Sequence, residues 1–243
     1  MKKLLLILVS VCFLNAANIR VAAAANIGYV LEDLKAEFLK TNPNDTLEVV
    51  LASSGKLNAQ IKNGADYAVF MAANMDFAQD VFKNGLATAP AEAYTRGVLV
   101  MFSKDKRDMT KGLELLKDKD IHKIAVANTK TAPYGIASLE AFKKAGVYES
   151  IKDKIVQADS ISGVLPYALS AAEIGFIPKS ALSGKDEYKK GENFIEVDRA
   201  IYTPLDQGMV LIKTHEKDKL ANDFYKFIKS DVAKAIFAKH GYE

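Results

Sequence analysis

Four short stretches hold residue types suited to one kind of chemistry. They read Ala22-Ala23-Ala24-Ala25-Asn26-Ile27-Gly28, Ala52-Ser53-Ser54-Gly55-Lys56, Thr131-Ala132-Pro133-Tyr134-Gly135 and Asp159-Ser160-Ile161-Ser162-Gly163. Each lies between a strand-like run and a helix-like run, and small or hydroxyl side chains dominate it. Small side chains let a ligand approach the backbone. The first turn of a helix offers N–H groups without an intrahelical acceptor, together with a partial positive charge. That combination binds anions. Four such ends around one cleft would hold a small dianion without any fixed cation. Taken singly, each stretch has a plainer reading: a serine before a helix is usually its N-cap, and an alanine-rich turn packs a strand against a helix. Repetition at corresponding junctions is what points to a ligand.

The elements that must position these junctions alternate along the chain. Ile19–Ala24 reads as a strand, and 30–40 as a helix with Val30, Leu31, Leu34, Phe38 and Leu39 on one stripe. Asn42-Pro43-Asn44-Asp45 breaks the chain. Leu47–Ala52 is apolar except for Glu48, as expected of a buried parallel strand. A helix over 53–63 and a strand over 67–73 complete a βαβαβ unit, which predicts a parallel sheet with helices on both faces. A second set follows. It has strands at 97–102, 123–127, 155–157 and 174–177, and helices around 113–116, 136–145 and 163–171. Strands at 195–197 and 209–212 precede a helical region, 220–237, with a break near Ser230-Asp231. The expected architecture is α/β: residues 17–96 with 203–243 form one lobe and 97–202 the other. The lobes are joined by a hinge, with the ligand cleft between them beyond the carboxyl ends of the strands.

The 243 residues are 49% hydrophobic and 26% charged, a globular composition that excludes a disordered chain. Residues 1–16 read as a secretory signal peptide: Lys2 and Lys3, an apolar run from Leu4 to Leu14, then the small Ala16. The run is shorter than the roughly 20 residues needed to span a bilayer. Its removal takes two lysines and leaves a nearly neutral chain, which argues against a nucleic-acid partner. Cys12 is the only cysteine, so there is no disulfide framework and no cysteine-based zinc site. A lipid anchor at Cys12 is the lesser reading, because Val11 precedes it where lipidation wants a smaller residue.

Catalysis is the first competing chemistry. Ser53-Ser54-Gly55-Lys56 fits S-x-x-K, with Ser53 as nucleophile and Lys56 as its base, but the companion S-D-N and K-T-G motifs are missing. His122, His215 and His240 follow no metal-ligand spacing. The second competitor is a clamp for another small oxyanion, such as sulfate. Arg96 and Lys56 lie near the cleft stretches and would add charge there; both also read as surface residues.

The blocks VAAAANIGYVLEDL, LASSGKLNAQIKNGADYAVFMAAN, APYGIASLEAFKKAG, ADSISGVLPYAL and YTPLDQGMVLIK, with the terminal KHGYE, resemble the periplasmic molybdate-binding proteins of ATP-binding-cassette importers. The resemblance runs from about Ile19 to Tyr242. It implies a class II periplasmic-binding-protein fold and a monomeric, exported receptor. That receptor would take molybdate or tungstate, use no cofactor, and serve a membrane permease with its ATPase. It also implies that the oxyanion is held by neutral donors: Ala25 and Asn26, Ser54, and the main-chain N–H groups of Tyr134 and Ile161. Ser53 and Arg96 stand as secondary candidates. Two departures accompany it. Asn26 stands where many members have serine, and Pro178, which has no donor, stands where many have a tyrosine hydroxyl. Tyr134 is the expected compensation.

Overall fold

The computed structural model describes residues 16–243. All of the expected signal segment except Ala16 lies outside the described residues, Cys12 included. No helix among the described residues is long and apolar enough to cross a membrane.

Two five-stranded sheets are built to one plan. The first contains β1 (Asn18–Ala24), β2 (Thr46–Ala52), β3 (Val69–Met71), β4 (Glu92–Gly97) and β10 (Leu205–Leu211), in the order β2-β1-β3-β10-β4. The second contains β5 (Leu99–Phe102), β6 (Ile124–Ala127), β7 (Ile155–Ala158), β8 (Ile174–Pro178) and β9 (Phe194–Glu196), in the order β7-β6-β8-β5-β9. β1 runs parallel to β2 and β3, as β6 does to β7 and β8. β10 is antiparallel to β3 and β4, as β5 is to β8 and β9. The chain enters the second sheet between Gly97 and Leu99 and returns to the first between Glu196 and Leu205.

Alternation explains the first lobe. Ile19, Val21 and Ala23, with Val69, Met71 and Met209, face one apolar cluster, while Ala22, Phe70 and Val210 face another. The first cluster is closed by α1 (Leu31–Thr41), α7 (Lys219–Ile228) and α8 (Asp231–Lys239) through Leu34, Phe38, Phe224 and Phe237. Phe38 meets Phe224 edge-on, 5.3 Å between centroids. The second is closed by α2 (Ser54–Lys62) and α3 (Met75–Lys83) through Leu57, Ile61 and Val81. In the second lobe β6 is buried throughout, and α4 (Pro133–Lys144), the short α5 (Tyr148–Ile151) and α6 (Val164–Ser170) cover its sheet. Phe142 of α4 packs edge-on against Phe176 of β8 at 4.7 Å.

The α/β class and the two-lobed plan agree with the sequence reading, with local corrections. The sheets are mixed rather than parallel, because each accepts a strand just after the chain crosses between lobes. β2 is an edge strand, not a buried one: Leu51 is 42% exposed. β4 and α3 add to the expected elements. β4 (EAYTRG) lacks apolar alternation and is held by pairing with β10 and by exchange of main-chain bonds between Arg96 and Glu243. The segment expected as a helix around 113–116 is a 3-10 stretch, Met109–Lys117, interrupted at Gly112.

Candidate functional site

The four junctions meet. Ala24, Ala25, Asn26, Ser53, Ser54, Ala73, Ala132, Pro133, Tyr134 and Ile161 line one small cavity. The lining comes from the carboxyl ends of β1, β2 and β3 in one lobe and from the segments after β6 and β7 in the other. Asn26 and Ser54 are fully buried, and Ser53, Tyr134 and Ile161 are nearly so. None of the lining residues carries a charge.

Each element delivers a donor for a local reason. After β1 the chain turns into a 3-10 helix, Ala25–Tyr29, whose first N–H groups belong to Ala25 and Asn26. Ser54 opens α2, and its Oγ accepts the Ala73 N–H at 2.9 Å, which leaves the hydroxyl hydrogen free to donate. Pro133 occupies the first position of α4, where a missing N–H costs nothing, so Tyr134 carries the first free N–H of that helix. Ile161 opens a 3-10 turn, Ile161–Gly163, leading into α6; its side chain joins the core while its N–H sits at the turn's start. None of these four ends has a side-chain cap hydrogen bond.

The lobes touch around the cavity. The Gly55 N–H donates to Thr131 O at 2.9 Å, and the Ser53 hydroxyl donates to Thr131 Oγ1 at 3.3 Å. A Cβ on Gly55 would lie 3.0 Å from Thr131 Cα, so the close approach of α2 to the second lobe leaves little room for a side chain there. Lys56 Nζ and Asp159 form an exposed ion pair across the lobes at 3.2 Å.

Beneath the cavity lies a buried polar network that the sequence reading missed. The Asn26 Nδ2 donates to Gln207 Oε1 (3.0 Å) and Tyr242 Oη (3.1 Å). The Tyr242 hydroxyl donates to Asn26 O at 2.8 Å and accepts from Ser180 Oγ of the other lobe at 3.3 Å. The Tyr94 hydroxyl donates to Gln207 Oε1 at 2.9 Å. Burial pushes the Tyr242 phenol up to about 12 and those of Tyr94 and Tyr134 well above their ordinary value, so all three stay neutral donors. The available signal was Gln207 itself, a lone amide in the strand LDQGMVL that is 0% exposed.

Two expectations need correction. Arg96 is not at the cavity; it pairs with Asp206 at 2.5 Å, partly exposed. The Tyr134 hydroxyl does not stand in for the donor missing at Pro178: it lies against Gly97 and Gln207, neither of which lines the cavity. In the competing catalytic reading Ser53 and Lys56 would pair, but the hydroxyl turns to Thr131 and the ammonium to Asp159. The remaining candidates, Ala25, Asn26, Ser53, Ser54, Tyr134 and Ile161, are brought together.

Two mixed α/β lobes closing on a buried, uncharged, donor-lined cavity define a solute-binding clamp. Residues 19–243 match the bacterial extracellular solute-binding protein family, and the chain belongs to that family. It is 31% identical over 229 residues to the molybdate-binding protein ModA of Rhodobacter capsulatus, covering 93% of this chain and 88% of that one. It is 30% identical to ModA of Azotobacter vinelandii, covering 95% and 92%. The solved periplasmic molybdate-binding protein of Azotobacter vinelandii superposes with a TM-score of 0.85 at 27% identity, over 93% of this chain and 98% of that chain. These relatives are solute-binding proteins rather than enzymes.

Proposed function

We propose that this chain is the periplasmic receptor of an ATP-binding-cassette importer and that it captures molybdate, and tungstate with it, as a monomer. The dianion would be cargo, not a cofactor; the partners would be a membrane permease and its ATPase. One observation carries the reading: uncapped helix and 3-10 ends from both lobes, with the Ser54 hydroxyl, converge on a cavity lined by no charged residue. The N–H groups of Ala25, Asn26, Tyr134 and Ile161 and the Ser54 hydroxyl are the proposed donors.

The open clamp would bind the ion to one lobe, and closure would bring the second lobe's N–H groups onto it and expel water. Stripping a dianion of water is costly. Charge-assisted hydrogen bonds return about 1.5–3 kcal/mol each. The five donors named would together return roughly 8–15 kcal/mol, the order of nanomolar binding, roughly 12 kcal/mol. Selection would be steric: rigid main-chain donors fix the radius of the tetrahedron they surround, and a smaller sulfate could not reach all of them together. Calorimetry on the purified chain tests this. One-to-one tight binding of molybdate and tungstate with little response to sulfate is expected; equal affinity for sulfate would end the steric argument.

A further inference from the structure

Some of the interlobe contacts lie where opening of the clamp must break them. Both crossings between the lobes join β4 and β10 of the first sheet to β5 and β9 of the second. β2 is the edge of the first sheet far from the crossings, and β7 is the far edge of the second. α2 follows β2, Thr131 follows β6 beside β7, and Asp159 follows β7. Rotation about the crossings therefore moves these segments apart by the longest lever. Here the Gly55 N–H donates to Thr131 O, the Ser53 hydroxyl donates to Thr131 Oγ1, and Lys56 pairs with Asp159. The Gly55 N–H is the second of α2 and has no acceptor within its own helix. Thr131 is presented on a fixed turn: Asn128 Oδ1 accepts the N–H groups of Lys130 (2.9 Å) and Thr131 (3.0 Å), and Asn128 O accepts that of Ala132 (3.0 Å). A Cβ on Gly55 would lie 3.0 Å from Phe77 Cζ, the far end of a side chain that can turn aside. It would also lie 3.0 Å from Thr131 Cα, whose backbone the turn holds, so there the lobes themselves would have to part. Gly55 follows Ser54, and Thr131 precedes Tyr134 by three residues, yet neither Gly55 nor Thr131 lines the cavity.

We propose that Gly55 and Thr131 are positioning residues for ligand retention: their contact latches the mouth of the clamp and sets how closely the donors of one lobe approach those of the other. This rests on the reading of the cavity as an oxyanion site. The latch is made between protein groups alone, so it stabilises the closed arrangement without using a ligand donor. The apparent affinity of a ligand scales with the fraction of molecules in the arrangement that binds it. Release requires the mouth to open, so the latch acts on dissociation. The first encounter of the open clamp with the ion does not use it.

The test is a pair of measurements on the purified chain with sodium molybdate as the probe. Release of radiolabelled molybdate into an excess of unlabelled molybdate gives the dissociation rate. Calorimetry gives the dissociation constant, and the two together give the association rate. Gly55→Ala should speed release by about fivefold or more, and Gly55→Val further, with association within about twofold of the wild type. Thr131→Val keeps the shape of the side chain and loses only the bond from Ser53. It should fold as the wild type does and speed release about threefold. Unchanged release in all three variants would overturn the latch and leave the oxyanion reading standing. Weaker binding that came from slower association, with release unchanged, would overturn it equally, because it would mark a distorted open lobe. Absence of molybdate binding by the wild-type chain would instead remove the oxyanion reading, and this inference with it.

Discussion

The two helices whose first residues line the cavity, α2 and α4, begin differently from α3, α7 and α8. α3, α7 and α8 start at Asn74, Asp218 and Ser230, whose side chains accept the N–H groups of Phe77, Ala221 and Ala233. α2 and α4 start at Ser53 and Ala132 without such a bond, and so do the 3-10 turns that begin after Ala24 and Ser160. Ala24 and Ala132 have no side chain that could cap, whereas Ser53 and Ser160 do and direct it elsewhere. Ser53 turns its hydroxyl to Thr131 of the opposite lobe, and Ser160 pairs with Ser162 Oγ at 3.0 Å. A cap consumes N–H groups that a ligand would need. Leaving buried donors uncapped costs stability unless an acceptor arrives. Side-chain caps therefore serve the fold at α3, α7 and α8, while the cavity-facing ends keep N–H groups that a ligand could use.

The contrast can be broken or sharpened in order of effect. Molybdate at a thousand times its dissociation constant should stabilise the protein by about 4 kcal/mol, read as a rise in the thermal midpoint; sulfate at the same concentration should not. If the two ions shift the midpoint equally, the cavity-facing ends have no special ligand. Next, Ser54→Ala should weaken molybdate by about 1.5–3 kcal/mol, the worth of one charge-assisted hydrogen bond, by calorimetry. An unchanged constant would take Ser54 out of the binding set. Asp218→Ala and Ser230→Ala should each cost about 1 kcal/mol of unfolding free energy in denaturant titrations, with ligand affinity unmoved.

Ser53→Ala is the mirror case. It removes no cap bond, only the bond to Thr131 Oγ1, so its loss of stability, about 0.5–1.5 kcal/mol, should vanish in a Thr131→Val background. A loss that persists there would erase the distinction between the two sets of helices. The smallest effect concerns His215, in the remote half of the first lobe. Burial opposes its protonation, but the carboxylates of Asp66 (2.7 Å) and Asp218 (3.4 Å) prevail and hold its pKa above the usual value. Because the folded pKa is the raised one, the pair stabilises fully below about pH 6.5 and fades as pH climbs through the folded value. His215→Asn should thus lose up to about 1 kcal/mol at pH 5.5 and approach the wild type at pH 9. A pH-independent loss would show that the ion pairing contributes nothing.

Much of this contrast is legible in the amino-acid sequence. The alternation of Val21, Ala22 and Ala23 and the stripe of Leu34 and Phe38 foretell strand and helix because periodicity reports which faces are buried. The junction residues Ala25, Asn26, Ser54, Tyr134 and Ile161 stand out by type and position. Leu47–Ala52 misleads, since an apolar run does not say whether a strand lies inside a sheet or at its edge. Arg96 misleads because nearness in sequence to a cleft stretch does not fix the direction of a long side chain; Asp206, 110 residues on, decides it. Asn26 reads as a donor, but what its amide donates to depends on Gln207 and Tyr242, which arrive from the far end of the chain.

The sequence by itself determined most of the elements, their alternation and the donor-rich ends, because these follow from local backbone physics and the period of the apolar residues. Only the tertiary structure decided that four ends from two lobes share one cavity, that Ser53 turns away from capping, and that Asn26 is wired to Gln207 and Tyr242. Those outcomes depend on contacts between segments far apart along the chain, where a change of a few ångströms in packing decides whether a polar atom meets a neighbour, a ligand or nothing.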